Sequence, residues 1–271
     1  MVATFESSPT HAEAARSGGG LPALAACVRA EFLKMRRAPV WLAFVLLPAA
    51  SAGIGIANYA GNLKSAGGVL TPGWENLWTQ QTLFICYFFL PALVGVAASY
   101  LWRLEHQGSN WNELMCAPVP AWCIATAKLA VCMLFMLVAF ASILVFYVAS
   151  GMVLSVPGAF PAVTIAENLA LGWIGSLAIC GIQLVVSMLV RNFAAPVGVA
   201  LAGGVLGLAA AMGGFQYVFP YALLQAGMGS NALAEVNAGT AFQIVFVSAL
   251  WTAAALAFAI AWLSKTDIHA D

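Results

Sequence analysis

Residues 129–151 read LAVCMLFMLVAFASILVFYVASG, 23 positions without a charge and almost without a polar side chain. A membrane helix needs about 20 apolar residues to cross some 30 Å of hydrocarbon. This run has that length, and it is apolar on every side. The short, alternating strands of a β-barrel have a different pattern. In lipid each backbone N–H and C=O must be satisfied internally, so such a run becomes a helix. The uncharged window continues to residue 166, and five others exceed 20 residues: 38–63, 76–102, 168–190, 192–234 and 236–264.

Composition agrees with this reading. Of 271 residues, 63% are hydrophobic and only 7% carry a charge. A soluble domain has roughly 25% charged residues. Twenty charges cannot keep a globule of this size dissolved, which excludes a soluble monomer. A disordered chain would need low hydrophobicity, which excludes that too. Ten basic and ten acidic residues cancel, so no global field points to nucleic acid. No cleavable signal peptide is expected, because the polar leader is too long and no small-residue cleavage site follows the first span.

The expected fold is all-α and polytopic, with six membrane spans at about 40–60, 80–102, 125–149, 168–190, 194–214 and 243–263. Pro157 and Pro161 mark a loop before the fourth span, and Thr164 and Glu167 have the spacing of a capping box there. Residues 215–242 are apolar but interrupted by Gln216, Gln225, Ser230, Asn231 and Glu235. Short re-entrant or interfacial helices are expected there, with a seventh crossing as the alternative. The six-span domain would run over 39–265, after a polar, disordered leader at 1–20.

Basic residues concentrate in cytoplasmic loops. With six spans and the N-terminus inside, the cytoplasmic side holds Arg16, Arg29, Lys34, Arg36, Arg37, Arg103, Lys128, Arg191 and Lys265, and the other side only Lys64. Both termini are then cytoplasmic. Residues 21–38 form the expected amphipathic interfacial helix, since Leu21, Leu24, Val28, Phe32 and Met35 recur at helical spacing. Arg29, Lys34, Arg36 and Arg37 fall on its other faces, fit for a membrane surface.

The second cytoplasmic segment, 103–120, is the most informative. Asn110 is placed to cap a short helix and Pro118 to end it. That helix would carry Trp111, Glu113, Leu114 and Met115. Two readings stand side by side: a knob that docks on a cytosolic partner, or a loop whose tryptophan sits at the lipid interface.

No chemistry of the chain's own is visible. His11, His106 and His269 lie outside the spans, so no intramembrane Ser–His pair is available. The six cysteines form no CxxC pair, and no metal or cofactor motif is present. None of the four lysines follows a glycine, which excludes a phosphate-binding P-loop. Active transport would need a second subunit that hydrolyses ATP. Pro48, Pro91 and Pro196 read as tolerated membrane prolines or as gating hinges. Gly203 and Gly207 have the GxxxG spacing of close helix packing.

The ordered set of features resembles a known family. It comprises the basic segment Glu31–Arg37, Trp41 and Pro48 in the first span, and Gly73-Trp74-x-x-Leu77 before the second, which carries Pro91. Glu105-His106-Gln107, Trp111-x-x-Leu114, Pro118-Val119-Pro120 and Ala127-Lys128-Leu129 follow. The set is similar to ABC-2-type permeases, most closely those of lantibiotic-immunity and bacitracin-type exporters, over residues 28–130. The resemblance implies a six-span subunit of a bacterial plasma-membrane exporter, with no enzymatic activity of its own. It would pair with a second permease chain and with cytosolic ATPases, and extrude an antimicrobial peptide or another amphipathic substrate. The segment around Glu105, Trp111, Glu113, Leu114 and Met115 would be the part that docks on the ATPase. A scaffold without transport and an ATP-independent carrier are the competing readings.

Overall fold

The computed structural model describes residues 20–36, 38–65, 68, 70–108, 110–117 and 119–265. The leader expected before residue 20, and Arg37 and Pro118, lie outside the described residues. Within them the fold is entirely helical. Ten α-helices follow in chain order: α1 Leu21–Arg36, α2 Ala43–Lys64, α3 Trp74–Phe84, α4 Leu90–Arg103, α5 Asn110–Cys116, α6 Ala121–Val153, α7 Ala162–Leu189, α8 Ala194–Met212, α9 Pro220–Gly227 and α10 Ala238–Lys265. A 3-10 turn at Pro39–Leu42 leads into α2, and a π-helical segment at Ile85–Phe89 joins α3 to α4.

Six stretches are long and apolar enough to cross a membrane: Pro39–Lys64, Trp74–Arg103, Ala121–Val153, Ala162–Leu189, Ala194–Met212 and Ala238–Lys265. Several run past the windows read from charge. Glu75 and Glu167 lie inside helices, because a helix continues into water beyond the hydrocarbon and an acid is tolerated there. The Thr164–Glu167 capping box does not form: α7 starts after Pro161, which puts Thr164 inside the helix, with no side-chain cap.

Alternation of direction puts the start of α2, the end of α4, the start of α6, the end of α7, the start of α8 and the end of α10 at one end of the bundle. That end carries Arg103, Lys128, Arg191 and Lys265 and is called the basic end here. The second, third and fourth spans form the core. The first, fifth and sixth expose most of their apolar surface, as helices facing lipid do.

Close packing depends on glycine at two places. Pro91 has no N–H to donate to the Tyr87 carbonyl, and the chain widens to a π turn just before it. A Cβ at Gly204 would collide with that same Tyr87 carbonyl and with the Pro91 ring, so α8 fits against the widened turn only with glycine. Gly203 and Gly207 face Tyr221 and Gln225. The GxxxG spacing therefore serves packing within one chain.

Residues 213–237 dip into the bundle and return. Trp251, near the middle of α10, donates its indole N–H to the Val218 carbonyl at 3.1 Å. Gly175, near the middle of α7, abuts the backbone of Leu223 and Leu224. α9 has eight residues, about 12 Å at 1.5 Å per residue, too short to cross. It is re-entrant, and the seventh crossing is not formed. Buried polar side chains hold it. Tyr221 O–H donates to Gln183 Oε1 at 2.6 Å, and Gln183 Nε2 donates to the Pro196 carbonyl at 3.1 Å. Trp78 Nε1 donates to the Met228 carbonyl at 2.9 Å, and Tyr87 O–H to Asn231 Oδ1 at 2.7 Å.

Candidate functional site

At the basic end, four charges from three separate parts of the chain meet. Glu31 and Lys34 lie three residues apart on α1, so they share a face. Glu105 sits in the turn just after α4, and Lys128 is in the second turn of α6. The Lys128 side chain is fully buried, and Glu105 is only 3% exposed. Lys128 Nζ donates to Glu31 Oε2 at 3.1 Å, to Glu105 Oε1 at 2.8 Å and to the Leu101 carbonyl at 2.6 Å. Those three bonds exhaust an ammonium's donors. The ammonium also stands 4.5 Å from the centroid of the Trp102 ring. Lys34 Nζ bridges the same two acids, at 2.9 Å from Glu31 Oε1 and 2.8 Å from Glu105 Oε1.

Two positive and two negative groups leave the cluster neutral. That is the condition under which charges persist away from water. Burial alone would raise the Glu105 carboxyl, but Lys128 and Lys34 outweigh it and hold the group below its ordinary range. Burial alone would lower Lys34, but Glu31 and Glu105 outweigh it and hold the ammonium above its ordinary value. Glu105 is thus tied to α1 and α6, not to Arg103, whose side chain is exposed and lies 6.0 Å from the Tyr100 ring.

The turn after α4 is braced a second way. His106 Nε2 donates to the Ser187 carbonyl at the end of α7, at 2.9 Å. A carbonyl only accepts, so this nitrogen carries the proton. The imidazole lies parallel to Trp111, with centroids 5.9 Å apart and planes 3° apart. Trp102 lies tilted against this pair, at 6.0 Å from Trp111 and 6.4 Å from His106. Asn110 Nδ2 donates to the Leu104 carbonyl at 2.8 Å, which folds α5 back toward the end of α4.

α5 is therefore an anchored element with two faces. Trp111, Leu114 and Met115 are half-buried and packed on the bundle core. Glu113 and Cys116 are exposed. The structure brings Glu105 and Lys34 together, places Trp111 beside them through Trp102, and leaves Arg29 and Arg36 apart, exposed on α1. Of the apolar face expected on that helix, Leu24, Val28 and Met35 turn to the bundle, while Leu21 and Phe32 are exposed. Glu31 takes the inward position that the pattern assigned to Phe32, because Lys128 needs a counter-charge. Among the described residues no cluster of His, Cys, Asp and Glu could hold a metal ion.

Six apolar helices, a re-entrant helix and a charge-locked turn at one end define a multi-pass membrane protein. The family model described as ABC-2 family transporter protein matches residues 27–207, which takes in the whole of this charge cluster. The chain belongs to that family and is a membrane permease of the ABC transporter type, the transmembrane component and not a catalytic one. The comparison with curated proteins and that with solved structures gave no match.

Proposed function

We propose that this permease is the membrane-spanning half of an ATP-driven exporter in a bacterial plasma membrane, energised by a separate cytosolic ATPase and paired with a second permease chain. The basic end faces the cytoplasm, since seven of the eight basic residues among those described fall on that side. The substrate is an antimicrobial peptide of the lantibiotic kind or another amphipathic molecule.

One observation carries the reading. The turn at Glu105–His106 is bonded at once to α1, α6 and α7, through Lys34, Lys128 and Ser187. A rigid tie of that kind transmits force. Closure of the ATPase pair against the exposed side of α5, with Glu113 at its centre, displaces the Trp111–His106–Trp102 cluster. Glu105 and His106 then carry the displacement into three helices together, and the bundle rocks as a body. Trp111, Leu114 and Met115 are the anchored side of the lever.

The test is purification of the full chain with its chromosomal neighbours in lipid nanodiscs. An ATPase recovered at one-to-one stoichiometry supports the reading, and a second co-purifying permease shows a heterodimer. Trp111→Ala removes the ring that α5 contributes to this cluster and should uncouple ATP hydrolysis from transport while the chain remains inserted. A chain recovered alone, with no stimulated hydrolysis, would favour a scaffold or an ATP-independent carrier.

A further inference from the structure

α1 has an outward face that the charge network does not use. At 100° per residue, Arg29 and Arg36 fall within about 20° of each other and about 10 Å apart along the axis. Both are exposed, and they stand opposite Glu31, which points into the bundle. Leu33 is 46% exposed on one side of the arginine row and Phe32 38% exposed on the other. Glu31 is the one acid between residues 20 and 36, and it is neutralised inside. The outward face thus presents two guanidinium groups and flanking apolar side chains, with no carboxylate of its own helix beside them. Trp41 and Leu42, just before α2, are exposed as well.

We propose that this face binds anionic phospholipid headgroups of the leaflet at the basic end. Arg29 and Arg36 pair with phosphates, which a planar guanidinium recognises bidentately. Phe32 and Leu33 enter the acyl boundary beneath them. Charge complementarity selects the occupant: a positive face bordered by exposed leucine and phenylalanine matches an anionic surface with hydrocarbon below it. The same helix holds Lys34 against Glu105 and Glu31 against Lys128, so lipid bound outside pins the inner half of the network. The inference depends on the orientation of α1 and stands whether or not the chain exports anything.

The test is a thermal melt of the full chain in neutral detergent, titrated separately with phosphatidylglycerol, phosphatidylcholine and inorganic phosphate. Phosphatidylglycerol should raise the midpoint saturably, with phosphatidylcholine and phosphate inert. Apparent affinity should fall about fivefold for Arg29→Gln or Arg36→Gln and about 25-fold for both. Arg29→Lys with Arg36→Lys should keep most of it, and added salt should weaken the wild-type response.

Five results would overturn the proposal. An undiminished phosphatidylglycerol response in the double glutamine variant would put the anion site on Arg103, Arg191 or Lys265. An equal response to phosphatidylcholine would remove the charge argument. A phosphate response would mean a small-anion site. A lipid-free midpoint that collapses in the double variant, or lost ATPase recovery with an intact lipid response, would mean that a protein surface covers this face.

Discussion

Replacing Lys128 with methionine keeps the aliphatic volume and removes the charge at the centre of the network. Glu105 Oε1 then keeps one of its two ammonium partners, and Lys34 has to serve both acids from a site one-third exposed. Glu105 Oε2 is already buried without a partner. Breaking a buried pair from one side costs about 3–5 kcal/mol. Protonation sets a ceiling. From an ordinary carboxyl value of 4.5, keeping Glu105 neutral at pH 7.5 costs about 4 kcal/mol. Loss of the Trp102 ring contact adds about 1 kcal/mol to the pair term. The expected net cost at pH 7.5 is about 4–5 kcal/mol, read from equilibrium unfolding of the purified chain in detergent.

The pH profile of the same variant gives a sharper readout. In the wild type Glu105 is held low, so its contribution is present above the ordinary carboxyl range and is lost as pH falls through the folded value. Lys34 is held high, so its contribution is present below 10.5 and is lost as pH rises through the folded value. Wild-type stability from this cluster is therefore flat between about pH 5 and pH 10. In Lys128→Met burial acts on Glu105 with only Lys34 against it, so the carboxyl moves up and the variant should gain stability as pH falls toward the ordinary carboxyl range, while the wild type does not. Adding Glu105→Gln should recover about 2 kcal/mol. A single variant within about 1 kcal/mol of wild type, or strict additivity of the two changes, would refute the coupling of Glu105 to Lys128.

Other perturbations probe the packing and the lever. Gly204→Ala drives a methyl group into the Tyr87 carbonyl and should cost about 1–3 kcal/mol, whereas Gly198→Ala on the same helix meets nothing within 4 Å and should be silent in the same melt. Trp78→Phe removes the bond to the Met228 carbonyl; about 1–3 kcal/mol should be lost, and hydrogen exchange over residues 226–233 should accelerate. Glu113→Arg changes an exposed side chain, so the melt should stay within about 0.5 kcal/mol while recovery of the ATPase drops; unchanged recovery would place the docking surface elsewhere.

The spans were legible because the bilayer leaves few options. A long uncharged run in lipid has to be a helix, and each long window contains one. The ends were less legible, because charge was used as a border. Glu75 and Glu167 show why that fails: they sit in the first and the second turn of their spans, at the end opposite Lys128, where a helix is already in water. α6 shows the converse. Expected from residue 125 with Lys128 just inside it, the helix starts earlier, at Ala121, and the lysine stays within it because it has partners waiting. The re-entrant α9 was readable from polar residues that interrupt an apolar window. Their individual roles were not, since Gln183 and Asn168 on α7 supply or accept bonds across the fold.

The candidate site was half legible for a related reason. Asn110 and Pro118 bracket a short helix that carries Trp111, Leu114 and Met115. Which side of it is anchored depends on Trp102 and His106, which carry no pattern of their own. Glu31 and Lys128 are 97 residues apart, and each alone reads as a boundary charge. The available signal was energetic. A lysine in an otherwise uncharged apolar stretch cannot remain there without a partner, and this sequence has few acids on the same side to serve. Glu31 and Glu105 are the two that α1 and the turn after α4 can deliver. Pairing them with Lys128 in advance also fixes the rotation of α1: once Glu31 faces inward, Arg29 and Arg36 must face outward. One buried lysine therefore sets both the interior contact of the α5 lever and the charge that α1 presents to its surroundings.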